Sequence, residues 1–185
     1  MELEITLKKV AKILQKLKIP YLVTGGVAIV VWGRPRYTAD IDIIIELKKN
    51  KIKKILAALI LEGYIDENAV KEALKHKSEF NFIDNETSMK VDFWILQDSD
   101  FDKSRLKRAV EREIFGQKVT FSSPEDLILK KLLWFKESKS TRQLEDIYSV
   151  IAIIKDKLDY NYLRKWAKKQ NTLGVLEEQI ELVTR

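Results

Sequence analysis

The chain has 185 residues and carries 34 Lys or Arg against 28 Asp or Glu, a net charge of +6. It has no cysteine and one histidine, His76, which excludes disulfides, thiolate metal sites, thiol nucleophiles and His-rich metal centres. Apolar residues make up 45% of the chain, yet no apolar run reaches the ~18 residues of a membrane helix, and Met1-Glu2-Leu3-Glu4 lacks the basic and apolar regions of a signal peptide. These features predict a folded cytoplasmic protein with no membrane partner. The positive balance favours polyanionic partners such as nucleotides or RNA. A charged share of 34% also fits the charge networks of thermophile proteins.

Leu3, Leu7, Val10, Ile13, Leu14 and Leu17 recur at helical spacing and predict a first helix over 3–17, stopped by Pro20. Tyr21–Thr24 reads as a short apolar strand, Gly25-Gly26 as a turn, and Val27–Trp32 as a short buried helix ending at Gly33. After the basic loop Arg34–Thr38, Asp40–Ile45 reads as a central strand and 51–61 as an amphipathic helix. Strands over 79–83 and 89–96 follow, joined by the polar turn 84–87, and then a hairpin over 110–121 turning at Gly116-Gln117. Ser123-Pro124-Glu125-Asp126 is a helix start, with Ser at the N-cap, Pro in the first turn and acids beside it. Helices are predicted over 124–137, 141–155, 159–170 and 173–183. The order predicts an α+β core over 1–122, with a mixed β-sheet flanked by helices, and a C-terminal helical part over 123–185, with a cleft between them as the natural ligand site.

The stretch that carries chemistry is Gly25-Gly26 followed by Asp40-Ile41-Asp42. Side chains alternate along a strand, so Asp40 and Asp42 share one face, about 6.5–7 Å apart, while Ile41, Ile43 and Ile45 face a core. Adjacent carboxylates on a rigid strand repel one another unless a cation sits between them. Mg²⁺ (or Mn²⁺) suits such a site, being satisfied by carboxylates, water and phosphate oxygens. Gly25 and Gly26 stand where a strand turns into a helix; glycine allows close backbone approach, and N–H groups at a helix start bind phosphate. In Lys90-Val91-Asp92-Phe93-Trp94-Ile95, Asp92 falls opposite the apolar Val91, Phe93 and Ile95, as a third carboxylate for the same site, and Trp94 shares its face.

The Gly-Gly, short helix, Asp-x-Asp strand and later lone Asp resemble the DNA polymerase β-like nucleotidyltransferase superfamily. Ser123–Leu132 together with Arg142–Tyr148 resemble its AbiEii-type branch, which includes toxins of type IV toxin–antitoxin systems. The resemblance spans roughly residues 20–166. It implies a nucleotidyltransferase fold and metal-dependent transfer of a nucleoside monophosphate from an NTP to a hydroxyl on RNA, protein or a small molecule, with an antitoxin as an implied partner. It assigns Asp40, Asp42 and Asp92 to metal and catalysis, Gly25 and Gly26 to the phosphate-binding turn, Lys131 to the nucleotide phosphates with Lys130 as competitor, and Asp146 to support of the site. The sequence departs from the family where the turn is often Gly-Ser, and where Glu145 and Ser149 replace the Lys and second Asp of the C-terminal motif.

Beside these stand plainer readings. Arg34 and Arg36 either reach triphosphate oxygens or line a solvated loop. Thr38 either caps the strand or touches ribose. Asp146 is either a site residue or a helix-surface acid paired with Arg142. His76 and the basic runs 48–54 and 103–112 read as solvated faces. The rival function is a nucleotide- or RNA-binding module that keeps the fold without turnover.

Overall fold

A computed structural model describes residues 2–184. The first helix, α1, spans Glu2–Lys16 and buries Leu7, Val10 and Leu14 of the predicted stripe, together with Thr6 and Ala11, while Leu3, Ile13 and Leu17 are half-buried. Strand β1 (Tyr21–Val23) leads into α2 (Gly25–Trp32), and β2 covers Asp40–Ile45. Helix α3 (Ile52–Ile60), β3 (Gly63–Ile65), α4 (Glu67–His76), β4 (Glu79–Asp84) and β5 (Lys90–Ile95) follow. Next come α5 (Asp100–Lys107), β6 (Val110–Ile114) and β7 (Gln117–Phe121), and then α6 (Pro124–Ser138), α7 (Thr141–Ile154), α8 (Tyr160–Lys169) and α9 (Leu173–Thr184).

Among the described residues, seven strands form one mixed sheet in the order β3-β4-β5-β2-β1-β7-β6. The β2–β5 and β1–β7 pairs are parallel and the others antiparallel. The register between β2 and β5 sets Asp42 beside Asp92 and Asp40 beside Lys90. Ile41, Ile43, Ile45, Val91 and Phe93 on the opposite face are fully buried, or nearly so, with Phe80 and Phe82 from β4. Phe80 and Phe93 stack with centroids 5.0 Å apart. Burial of each such side chain stabilises by about 1.5–3 kcal/mol, so this face fixes the parity of both strands and drives the aspartates to the other face.

The sequence reading leaves out β3, α4 and α5. Strand β3 is three residues long and pairs only with β4. Helix α4 buries Val70 and Ala73, and its start is set by Asp66, whose side chain accepts from the backbone N–H groups of Asn68 and Ala69. Helix α5 is capped by Ser99, which accepts from Asp102 N, with Asp100 and Asp102 in the first turn. The run over 103–112 is therefore not all solvated face: Arg105 is buried and paired with Asp102 at 2.8 Å. The hairpin turn lies one residue earlier than expected, on Phe115 (φ 54) and Gly116 (φ 70), between the paired Ile114 and Gln117.

The chain divides into two compact units. One runs through Val27 and resumes over Tyr37–Phe121; the other comprises Ala28–Arg36 and the chain from Ser122 onward. In the second unit α6 packs on α7 and α8, and α9 on α7 and α8. The Ser-Pro-Glu-Asp start is structural: Ser123 caps α6, Tyr162 donates to Asp126 Oδ1 at 2.7 Å, and Glu125 accepts from Asp159 N at 3.0 Å. No helix among the described residues is long and apolar enough to cross a membrane.

Candidate active site

Gly25, Gly26, Thr38, Asp40, Asp42 and Asp92 come together on the polar face of the sheet. Backbone Thr24 N donates to Asp42 O at 2.9 Å, tying the end of β1 to the second aspartate. Helix α2 begins at once, with Gly25 at φ +61. A Cβ there would lie 1.8 Å from Asp42 Oδ2 and 2.9 Å from Asp42 Cβ. A Cβ on Gly26 would lie 2.3 Å from Thr38 Oγ1. The bare backbone of the turn thus lies directly against the Asp42 carboxylate, which puts a helix start and a carboxylate side by side. Thr38 is buried and donates to Asp40 O at 3.2 Å or Asp40 Oδ1 at 3.3 Å, holding the entry to β2.

Gly25→Ala is expected to cost about 1–2 kcal/mol for the left-handed backbone alone. It would also push the Asp42 carboxylate out of place. Urea unfolding measures the loss of stability.

Across the register, Trp94 Nε1 donates to Asp42 Oδ1 at 3.4 Å. Asp92 is 8% exposed, and its Oδ1 has no hydrogen-bond partner among the described residues. Its Oδ2 accepts from Lys90 Nζ at 2.8 Å, and the same ammonium lies 3.9 Å from Asp40 Oδ2. The hydrogen bond to Asp92 raises the Lys90 pKa, partial burial opposes it, and the charges of Asp92, Asp40 and Asp42 add to the rise. Lys90 is the residue that sequence reasoning missed. Its signal was legible, since alternation places residue 90 on the face of residue 92. Among the described residues no group of three or more His, Cys, Asp and Glu side chains is arranged to hold a metal ion.

A second cluster occupies the helical unit. Asp146, 3% exposed, accepts from Arg36 Nε at 2.7 Å and Nη2 at 2.8 Å, a two-pronged pair, and lies 2.7 Å from Lys131 Nζ. Burial pushes the Asp146 pKa up, but the hydrogen bonds and charges of Arg36 and Lys131 outweigh it and hold the carboxyl below its ordinary value. Lys131, 3% exposed, also places its ammonium 5.1 Å from the centroid of the Trp134 ring, and Lys130 lies 5.5 Å from the same centroid. Arg34 is exposed, and His76 is exposed at the end of α4 beside Glu72.

The fold is that of nucleotidyltransferases. An antigenic nucleotidyltransferase-like protein from Paracoccidioides brasiliensis aligns over 97% of this chain and 92% of its own, with TM-score 0.59 and 21% identity. ANT(2")-Ia in complex with adenylyl-2"-tobramycin aligns over 92% of this chain and 98% of its own, with TM-score 0.66 and 15% identity. A lincomycin-bound lincosamide antibiotic adenylyltransferase covers 83% of this chain and 98% of its own, with TM-score 0.53 and 16% identity. No curated protein sequence matches the chain. Residues 1–182 match the family described as nucleotidyltransferase of unknown function (DUF6036), and the chain belongs to that family.

Proposed function

We propose that the protein transfers a nucleoside monophosphate from an NTP to a hydroxyl acceptor, with Mg²⁺ or Mn²⁺ held by Asp40, Asp42 and Asp92. The observation that carries this reading is the register that sets Asp42 beside Asp92, with the bare Gly25 turn packed on Asp42. One feature suits a divalent cation: the buried Asp92 Oδ1 is an acceptor without a hydrogen-bond partner among the described residues. When bound, the metal would neutralise phosphate charge and lower the pKa of the attacking hydroxyl.

The chain's own contributions follow from the geometry. The N–H groups at the start of α2 receive phosphate oxygens, and absent side chains at Gly25 and Gly26 permit their approach. Asp92, the register partner of Asp42, would help activate the acceptor hydroxyl. Thr38 keeps Asp40 in place. Lys131 holds Asp146, and Asp146 holds Arg36; the proposal gives these three positioning roles. An AbiEii-type toxin role, with an antitoxin partner, rests on the motifs around Ser123 and Arg142. The structure gives the first motif a capping role and helix ties, and places Asp146 of the second in the ion cluster.

Calorimetric titration of ATP, CTP, GTP and UTP, with and without Mg²⁺, tests the proposal. Binding of at least one NTP should tighten on adding Mg²⁺. Equal binding with and without the metal would contradict it.

A further inference from the structure

Resting on that reading of the carboxylates, we infer that Lys90 is a built-in counter-cation of the site, which a divalent metal must displace. Three aspartates gathered on one sheet face carry −3. A face like this is costly to fold without a compensating charge. The ammonium of Lys90 supplies one, at 2.8 Å from Asp92 Oδ2 and 3.9 Å from Asp40 Oδ2. The backbone directs it there: residues 90 and 92 share a face, and residue 90 is the register partner of Asp40. The side chain is 45% exposed, so it can leave without unpacking a core.

Two consequences follow. The folded protein tolerates its carboxylates while no metal is bound. A metal arriving alone must evict an ammonium from two of its ligands, whereas a metal arriving with a triphosphate brings oxygen ligands of its own and offers the released ammonium a new anion. Lys90 therefore favours the metal–nucleotide complex over the bare metal and keeps the empty site from filling with stray divalent ions.

The test is Mn²⁺ binding to the full chain without nucleotide, followed by electron paramagnetic resonance of the free ion. Lys90→Met should bind Mn²⁺ about tenfold or more tightly than wild type, since a positive charge beside the ion is gone. Lys90→Arg should stay close to wild type. Mn²⁺ should also raise the melting temperature of Lys90→Met more than that of wild type. Lys90→Gln serves if the methionine variant fails to fold by circular dichroism. Unchanged or weaker Mn²⁺ binding in the neutral variants would overturn the inference. Wild type and Asp42→Asn are compared in parallel with Mn²⁺ and NTP together. If wild type binds and Asp42→Asn does not, a negative result counts against Lys90 alone. If neither binds, the carboxylate site itself fails, and the inference with it.

Discussion

Replacing Asp42 with Asn is expected to abolish metal-dependent nucleotide binding while leaving the fold intact. Asp42 is the residue on which the site converges: its backbone carbonyl accepts from Thr24, its carboxylate packs on Gly25, and its register partner is Asp92. Asparagine keeps the acceptor for Trp94 Nε1 and nearly the same volume. It removes one of two like charges set side by side, so stability should hold or rise slightly. If Asp42 holds the metal as proposed, its loss should cost more than the ~10–100-fold that outer-shell partners cost. Calorimetry with Mg²⁺ and NTP reads the binding, and thermal unfolding reads the fold. Wild-type affinity in Asp42→Asn would remove Asp42 from the site.

The second large effect is on stability. Asp146→Ala leaves the buried Lys131 ammonium, and the Arg36 guanidinium beside it, without their carboxylate. Breaking a buried pair by removing one partner costs about 3–5 kcal/mol. Against a domain stability of about 5–15 kcal/mol, that is a large share. Lys131→Met should cost less, because Asp146 keeps the two-pronged bond to Arg36. The pH dependence has a definite sign. The folded-state pKa of Asp146 lies below its unfolded value, so the cluster's contribution is fully present above the ordinary carboxylate pKa. It is lost as pH falls through the depressed value. Wild type should therefore lose stability as pH drops below about 4, and Asp146→Ala should lose less over the same window. Urea unfolding at several pH values measures both effects.

The parity of β2 and β5 was legible because charged residues alternate with buried Ile, Val or Phe over 40–43 and 90–93, even though Ile44 and Trp94 continue the charged face. The strand-to-helix junction at Gly25-Gly26 was legible from two glycines between apolar runs, but the helix starts two residues earlier than expected, at Gly25 rather than Val27. The ion cluster was not. Asp146 and Lys131 sit on separate helices, and Arg36 lies 110 residues before Asp146 in the chain. Sequence alone offered Asp146 the nearer Arg142, one helical turn away. In the fold it pairs instead with groups that only tertiary packing brings close. Lys131 followed the same course: on the helix pattern it was either a solvated lysine or a phosphate ligand, and the structure buries it against Asp146. Helix α5 escaped because its signal is a cap, at Ser99, rather than a broad apolar stripe.

The central claim is that three aspartates on one sheet face carry nucleotide transfer. It is tested most directly by incubating the protein with α-phosphate-labelled NTPs, Mg²⁺ and hydroxyl acceptors drawn from RNA, protein and small molecules, beside Asp92→Asn. Wild type should place label on an acceptor and release pyrophosphate, and the variant should do neither. Metal-independent NTP or RNA binding, without pyrophosphate release and indifferent to Asp92→Asn, would contradict it and mark the protein as a binding module on a nucleotidyltransferase fold.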